Sequence, residues 1–144
     1  MNINQYELLT TVQSILKGTP DLDGIPVLIS TEINENPDVT KWIGVEPGDT
    51  EITPQGIGGC WEQIVSFRVI AQIATEGGAY GERLIDPFVA TIISSITDNI
   101  DTLRTAGVID LISGIRRVSG FRTDDEGSVR FREDEITFTG NLQN

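Results

Sequence analysis

The chain has 144 residues, no histidine, one cysteine and a formal net charge of -12 at pH 7. Its length suits one domain with a sizeable core, so we expect a single domain over residues 1–144, and its acidity argues against nucleic-acid binding. No apolar run approaches a membrane span, the start lacks a signal peptide, and neither a Cys/His zinc site nor an internal disulfide can form. We therefore expect a protein without membrane contact that is made and kept in a cytoplasm.

The N-terminal segment predicts one helix followed by two short strands. Asn4 and Glu7 form a near-capping-box arrangement, apolar residues then recur at helical spacing, and Gly18 ends the pattern. Residues 25–33 are rich in β-branched side chains, and residues 41–45 resemble a second strand after a turn-forming sequence. The chain is thus expected to begin as a helix and then enter a sheet.

Residues 46–60 are rich in glycine, proline, threonine and acid and show no apolar period. This composition predicts a long loop between Trp42 and Trp61, which we expect to be mobile in a free subunit and ordered on assembly. A passive surface insertion is the alternative, because long surface loops cost little to keep. The candidate interface residues in this segment are Gly48, Asp49, Gly56, Gly58 and Gly59.

The clearest strand begins at Trp61, because apolar and polar residues alternate over residues 65–73. Apolar residues then repeat about every four positions over residues 84–103, which predicts the main helix. This helix has two possible starts, either just before Pro87 or near Tyr80 with the proline inside its opening turns.

The C-terminal part, residues 108–138, predicts two or three strands with an acidic turn at residues 124–127. Phe131 and Ile136 would fall on opposite faces of an unbroken strand, so we expect a bulge or bend within residues 132–135. The order of elements predicts an α+β fold. Its sheet is mostly antiparallel or mixed, with an N-terminal helix and one long central helix packed on one face.

The sequence shows no assembled catalytic chemistry. Cys60 has no basic neighbour to activate its thiol, and the glycines within residues 77–81 do not form a phosphate-binding motif. The acids at residues 124–126 and 133–135 lack the spacing of a calcium loop and are interpreted as a solvated turn and a charged strand edge. We expect no catalytic, cofactor-binding or metal-binding residue, and we predict that the chain is not an enzyme.

Positive charge is concentrated late in the chain. Residues 104–132 hold six arginines and four acids, a net charge of +2, which leaves -14 for the rest. One interpretation is a solvated basic face; the other is a positive surface that meets a negative one, as a head-to-tail ring requires. On the second interpretation the candidate interface residues are Arg116, Arg117, Arg130 and Arg132.

Several motifs share their order and spacing with a known family. They are Trp61-Glu62-Gln63-Ile64-Val65-Ser66-Phe67-Arg68-Val69, Asp110-Leu111-Ile112-Ser113, Gly120-Phe121-Arg122, Asp124-Asp125-Glu126-Gly127 and Glu135-Ile136-Thr137-Phe138-Thr139. With these motifs and its N-terminal helix, the chain resembles the lambda-like phage tail terminator proteins of the minor tail protein U type. It departs from them in a longer central strand and helix and in residues 53–60, which have no clear counterpart.

The resemblance implies a non-enzymatic virion protein of the phage tail, assembled in the host cytoplasm and without a cofactor. A protein of this family forms a homo-oligomeric ring, a hexamer, on the end of the tail tube. The ring stops tube polymerisation and presents a surface for head attachment. The implied partners are therefore further copies of the chain, the tail tube protein and a head-completion or connector protein.

Two other readings stay open at the level of sequence. A phage neck, head-completion or tail-completion connector would share the size, the acidity and the lack of catalytic groups. A small hydrolase or transferase would instead require a cleft with strongly shifted carboxylates.

Overall fold

The computed structural model describes residues 3–29, 41–56, 58–74, 79–123 and 130–143. The elements in chain order are α1 (Gln5–Lys17), a short 3-10 turn (Pro20–Leu22), β1 (Val27–Ile29), β2 (Lys41–Gln55), β3 (Cys60–Ala74), α2 (Ala79–Thr97), α3 (Ile100–Thr105), β4 (Leu111–Thr123) and β5 (Arg130–Gln143). The strands form one sheet in the order β1-β2-β3-β5-β4, with β1 parallel to β2 and the other neighbours antiparallel. The predicted α+β class is confirmed.

The N-terminal helix forms where the sequence predicts it. The Asn4 side-chain oxygen accepts a hydrogen bond of 3.0 Å from the Glu7 N–H, which caps the first turn. The Gly18 N–H donates to the Ser14 carbonyl at the end of the helix. The strand predicted over residues 25–33 is present as β1, and residues 30–40 lie outside the part of the chain that the structure describes.

The long loop predicted over residues 46–60 is wrong. β2 continues through this segment and pairs with β3 from Thr50 opposite Val65 to Gln55 opposite Cys60. The segment lacks an apolar period because most of this half of the hairpin is exposed, so polar residues suit both of its faces. The pairing with β3 supplies the backbone hydrogen bonds of this segment.

The glycine-rich stretch is the turn of this hairpin. The backbone φ angles are +68° at Gly56, +120° at Gly58 and +80° at Gly59. Glycine adopts such angles without the steric cost that a Cβ atom brings. The glycine-rich composition, which predicts a long loop, therefore forms a tight connection between two long strands.

The main helix is α2, which begins at Ala79, so Pro87 lies inside it. This observation decides between the two starts that the sequence leaves open. The predicted helix does not continue unbroken to residue 103, because the chain turns at Asp98 and Asn99 before α3. The Asn99 side-chain amide donates to the Ser95 carbonyl at 2.7 Å, which satisfies a carbonyl group at the end of α2.

The core lies between the helices and one face of the sheet, which we call the helix face; the opposite side is the outer face. α1 packs on β1 and β2, and α2 packs on β3 and β5. At the centre, the rings of Phe67 and Phe138 stack with their centroids 5.0 Å apart. Leu8, Val12, Leu16, Ile43, Val45, Val69, Ile92, Ile96 and Ile136 are among the buried residues around them.

The bulge predicted within residues 132–135 is wrong. β5 pairs with β3 in unbroken register from Phe131 to Gln143, and its buried helix-face row is Asp134, Ile136, Phe138, Gly140 and Leu142. Phe131, which the sequence placed on the same face as Ile136, lies on the outer face. Asp134 occupies the buried position on the helix face instead. The irregularity in this strand pair occurs instead in β4, between Ile112 and Gly114.

Candidate assembly surface

β4 is the edge strand of the sheet and is little covered. It has 13 residues and pairs along one side with β5, and no described strand lies on its other side. Its residues are exposed on both faces over most of their length, because α2 packs mainly on β3 and β5. A long uncovered edge of this kind offers free backbone N–H and C=O groups to another chain.

Apolar side chains are concentrated on this edge. Among the described residues seven large hydrophobic side chains are exposed, and four of them lie on β4. Leu111 is 52% exposed, Ile115 41%, Val118 51% and Phe121 51%. By their register with β5, Ile115 and Phe121 lie on the helix face and Val118 on the outer face, so apolar side chains flank the open edge on both sides. Single exposed apolar residues are ordinary on a protein surface, but four along one uncovered edge strand are of the kind that partners cover.

A groove extends this patch towards the helices. It has a volume of about 440 Å³ and lies between α3 and the first residues of β4. Ile100, Leu111, Ile112 and Ile115 supply its apolar lining. An apolar side chain from a partner that reaches the edge of β4 can therefore enter the groove.

The opposite edge of the sheet is different. β1 has only three residues, and the Gln13 side chain on α1 donates a hydrogen bond of 2.8 Å to the Val27 carbonyl. Short strands and covering side chains are two ways in which proteins protect sheet edges. The structure thus protects β1 and leaves β4 open.

Two of the predicted interface arginines are committed to a network inside the subunit. Asp134 is completely buried and accepts hydrogen bonds from Arg117 at 2.6 Å, Arg132 at 2.9 Å and Ser119 at 3.1 Å. Arg117 also lies 2.6 Å from the Asp86 carboxylate on α2. The network therefore joins β4, β5 and α2 beneath the exposed edge.

The protonation state of Arg117 is fixed by the same contacts. Burial lowers the pKa of its guanidinium, but the hydrogen bonds and negative charges of Asp86 and Asp134 outweigh burial and raise the pKa above its ordinary value. Arg117 therefore stays charged at every physiological pH. Its role within the subunit is to neutralise a buried carboxylate.

The other predicted cations differ in their surroundings. Arg116 and Arg122 lie on β4 with side chains on the outer face, and both are exposed, with no ion pair to another described residue. Arg130 is the first residue of β5, and its side chain lies outside the described part of the structure. The exposed positive charge of the edge is thus carried by Arg116 and Arg122, and Arg122 was not among the predicted interface residues.

The acids at residues 133–135 are also not a solvated edge. Asp134 is buried, Glu135 pairs with Arg68 at 3.6 Å, and Glu133 accepts a hydrogen bond from Gln72 at 3.1 Å. Gln72 in turn accepts from the indole N–H of Trp42, so a polar row crosses the outer face. The sequence contains one indication that Asp134 is buried. Asp134 alternates in phase with Ile136 and Phe138, which are both buried in the same strand.

The glycines predicted for the interface have structural roles in the hairpin. Gly48 and Asp49 form the bulge in β2, between Pro47 and Thr50. A Cβ atom at Gly48 would lie 2.7 Å from the Ser66 carbonyl oxygen, and the Ser66 hydroxyl donates to the Asp49 carbonyl at 2.9 Å. The Asp49 side chain remains exposed, as do the three glycines of the turn.

Within the described ranges, no group of three or more His, Cys, Asp or Glu side chains comes together in a way that could hold a metal ion. Cys60 is exposed at the end of the hairpin turn. No helix in the described part of the chain is long and apolar enough to cross a membrane.

No protein-family model matches the sequence, and no curated protein matches it either. Among solved structures, the chain is similar to a protein chain in the virion of a native gene transfer agent particle. The two chains share 12% sequence identity with a TM-score of 0.48, and the match covers 95% of each.

Proposed function

We propose that this chain is a structural protein of a phage-like virion and that it acts as a tail terminator. In this role copies of the chain form a ring on the end of the tail tube, end its polymerisation and provide the surface to which the head attaches. The proposal combines the resemblance seen in the sequence with the surface built around β4. It assigns no enzymatic reaction to the chain.

The uncovered edge of β4 is the observation that carries the proposal. A stable monomer protects its sheet edges, and this chain does so at β1. At β4 it leaves 13 residues of edge and four exposed apolar side chains uncovered. A surface with these properties is expected to be covered when the protein works, which supports an assembly subunit.

The charges of β4 favour a head-to-tail contact. The strand contains three arginines and no acid. Pairing β4 with β4 across a two-fold axis would bring like charges together, whereas a contact with the acidic remainder of another copy brings opposite charges together. Head-to-tail contacts generate closed rings when the rotation between subunits closes.

The network around Asp134 suits a structural role better than a catalytic one. Among the described residues it is the one fully buried carboxylate, and three side chains donate to it. A carboxylate saturated in this way holds strands and helix together and is not free to move a proton to a substrate.

The proposal is tested by electron microscopy of the purified protein alone and mixed with tail tubes from the same virus. We expect rings on tube ends and arrested growth of capped tubes, with tubes alone as the control. Light scattering over a concentration series should show a species larger than a monomer at high concentration. A monomer at all concentrations that leaves tube ends bare would refute the proposal, and binding to head components without tube capping would instead indicate a connector.

A further inference from the structure

Two exposed segments on different sides of the sheet carry opposite charges. The first is β4 (Leu111–Thr123), which we call the cationic edge. The second is residues 46–55 of β2, which we call the acidic edge; it contains Glu46, Asp49 and Glu51 and no cation. β1 pairs with β2 only along residues 43–45, so no described strand lies beside the acidic edge on the side away from β3.

We infer that the cationic edge of one copy docks on the acidic edge of the next copy. This inference rests on the proposed function, since it names the partner surface of the same β4 site. The two edges lie at opposite sides of one sheet, so a contact between them is head to tail, as a ring requires. It uses the exposed arginines Arg116 and Arg122 and the exposed acids Asp49 and Glu51, which the sequence separates by about half the chain.

The side chains of the two edges are placed to meet on the outer face. Arg116 and Arg122 project on the outer face of β4, with Val118 between them in the same phase. Glu51 lies on the outer face of the acidic edge, opposite Ile64, which is 38% exposed. The cationic edge thus offers Val118 between two arginines, and beside the acidic edge Ile64 of β3 lies next to Glu51; an exposed apolar residue next to charge is the usual composition of a specific contact.

The acidic edge also limits how far backbone pairing can extend. Pro47 and Pro54 lack an N–H, and the bulge lies directly after Pro47. Backbone pairing with another strand is therefore restricted to the few residues between the bulge and Pro54. Complementary charge then decides which partner binds, and continuous sheet growth along the acidic edge is blocked.

The inference is tested by charge reversal in the full-length protein. The first variant, Arg116→Glu/Arg122→Glu, reverses the cationic edge; the second, Asp49→Lys/Glu51→Lys, reverses the acidic edge. Each variant alone places like charges in the contact, so we expect the concentration for half-maximal ring formation to rise roughly tenfold or more. The matched controls change net charge equally on the helix side. They are Lys17→Glu/Arg83→Glu and Asp23→Lys/Asp98→Lys, and they should assemble as the parent does.

The decisive measurement is a mixture of the two edge variants in equal amounts. In a head-to-tail ring, each reversed edge then meets a reversed partner, so alternating rings should form at the parental concentration while neither variant assembles alone. If instead Asp49→Lys/Glu51→Lys alone assembles as the parent does while Arg116→Glu/Arg122→Glu does not, the acidic edge is not the partner of β4 and the inference is overturned. It is also overturned if both variants form rings as the parent does.

Two further outcomes separate this inference from the proposed function. If the parent forms no rings in any condition, with tubes present, the proposed function fails before the edges are tested. If the parent forms rings but Arg116→Glu/Arg122→Glu only abolishes binding to duplex DNA in a gel-shift assay, the cationic edge faces nucleic acid. In that case the inference is wrong and the ring proposal stands.

Discussion

Asp134 on β5, which is fully buried, and Arg117 on β4, whose side chain is 32% exposed, form an ion pair with a separation of 2.6 Å, and Arg132 contacts the other oxygen of the same carboxylate. The pair lies at the open edge of the sheet, next to the exposed apolar residues of β4. It therefore adds a side-chain contact to the backbone pairing that holds β4 against β5.

Replacing Asp134 by alanine should strongly destabilise the subunit. The change removes the buried acceptor of two guanidinium groups, but Arg117 keeps Asp86 and is partly solvated, so we expect a loss of about 1–3 kcal/mol of unfolding free energy. Asp101→Ala is the control, because Asp101 is 90% exposed in its pair with Arg104, and a change within about 0.5 kcal/mol is expected there. Urea denaturation of both variants measures the difference, and equal stabilities would contradict the assignment.

The contribution of Arg117 should not vary with pH in the physiological range. A raised pKa means that the stabilisation is fully present below the unfolded-state value and is lost only above the folded-state value, far into the alkaline range. The difference in unfolding free energy between the parent and Arg117→Met should therefore be the same at pH 6 and pH 9. A difference that shrinks between these two pH values would show that the guanidinium is not the group responsible.

Gly48→Ala should destabilise the hairpin. The added Cβ would lie 2.7 Å from the Ser66 carbonyl oxygen and 2.8 Å from its carbonyl carbon, so the two backbones must move apart. Overpacking of this kind costs about 1–3 kcal/mol. Gly114→Ala is the matched control, since a Cβ there meets nothing within 4 Å. If thermal unfolding shows the two variants to be alike, the close approach at Gly48 is not real.

Val118→Ser should weaken assembly without affecting the fold. Val118 is 51% exposed on the edge strand, so its removal changes the unfolding free energy by no more than about 0.5 kcal/mol. Tyr6→Ser removes a side chain that is 66% exposed on α1 and is the control. Light scattering should show reduced association for the first variant alone, and an equal reduction in both would remove the special role of β4.

Shortening the hairpin tests whether its tip takes part in the proposed assembly. Replacing residues 54–61 by Asn-Gly removes paired residues from both strands and closes the hairpin after Thr53 opposite Glu62. The remaining register is unchanged, so the circular dichroism spectrum should be preserved. Tube capping should decline, and a shortened protein that caps as well as the parent would show that the tip is dispensable.

The elements with a buried face could be predicted from the sequence. α1 and the core part of β3 show clear apolar periods because one side of each meets the core. The distal half of β2 shows none, because most of its residues are polar and exposed, and such a segment resembles a loop in the sequence alone. Strand structure there follows from pairing with β3, which lies outside any local window of sequence.

The candidate site was predicted only in part for a related reason. The sequence located positive charge correctly, but it could not show that Arg117 and Arg132 pair with Asp134 or that Arg122 stays exposed. An acid among neighbouring acids is normally a surface residue, so the buried position of Asp134 ran against composition. Its alternation with Ile136 and Phe138 was the available clue.

The two tryptophans give the chain a built-in optical reporter. Trp42 is 2% exposed and donates its indole N–H to Gln72, whereas Trp61 is half-buried near the hairpin tip, opposite Pro54. A neutral quencher such as acrylamide should therefore reach the fluorescence of Trp61 and leave that of Trp42 almost untouched. A Trp61→Phe variant isolates the protected signal and Trp42→Phe the accessible one. Any event at the tip of the hairpin can then be followed in solution without attaching a dye.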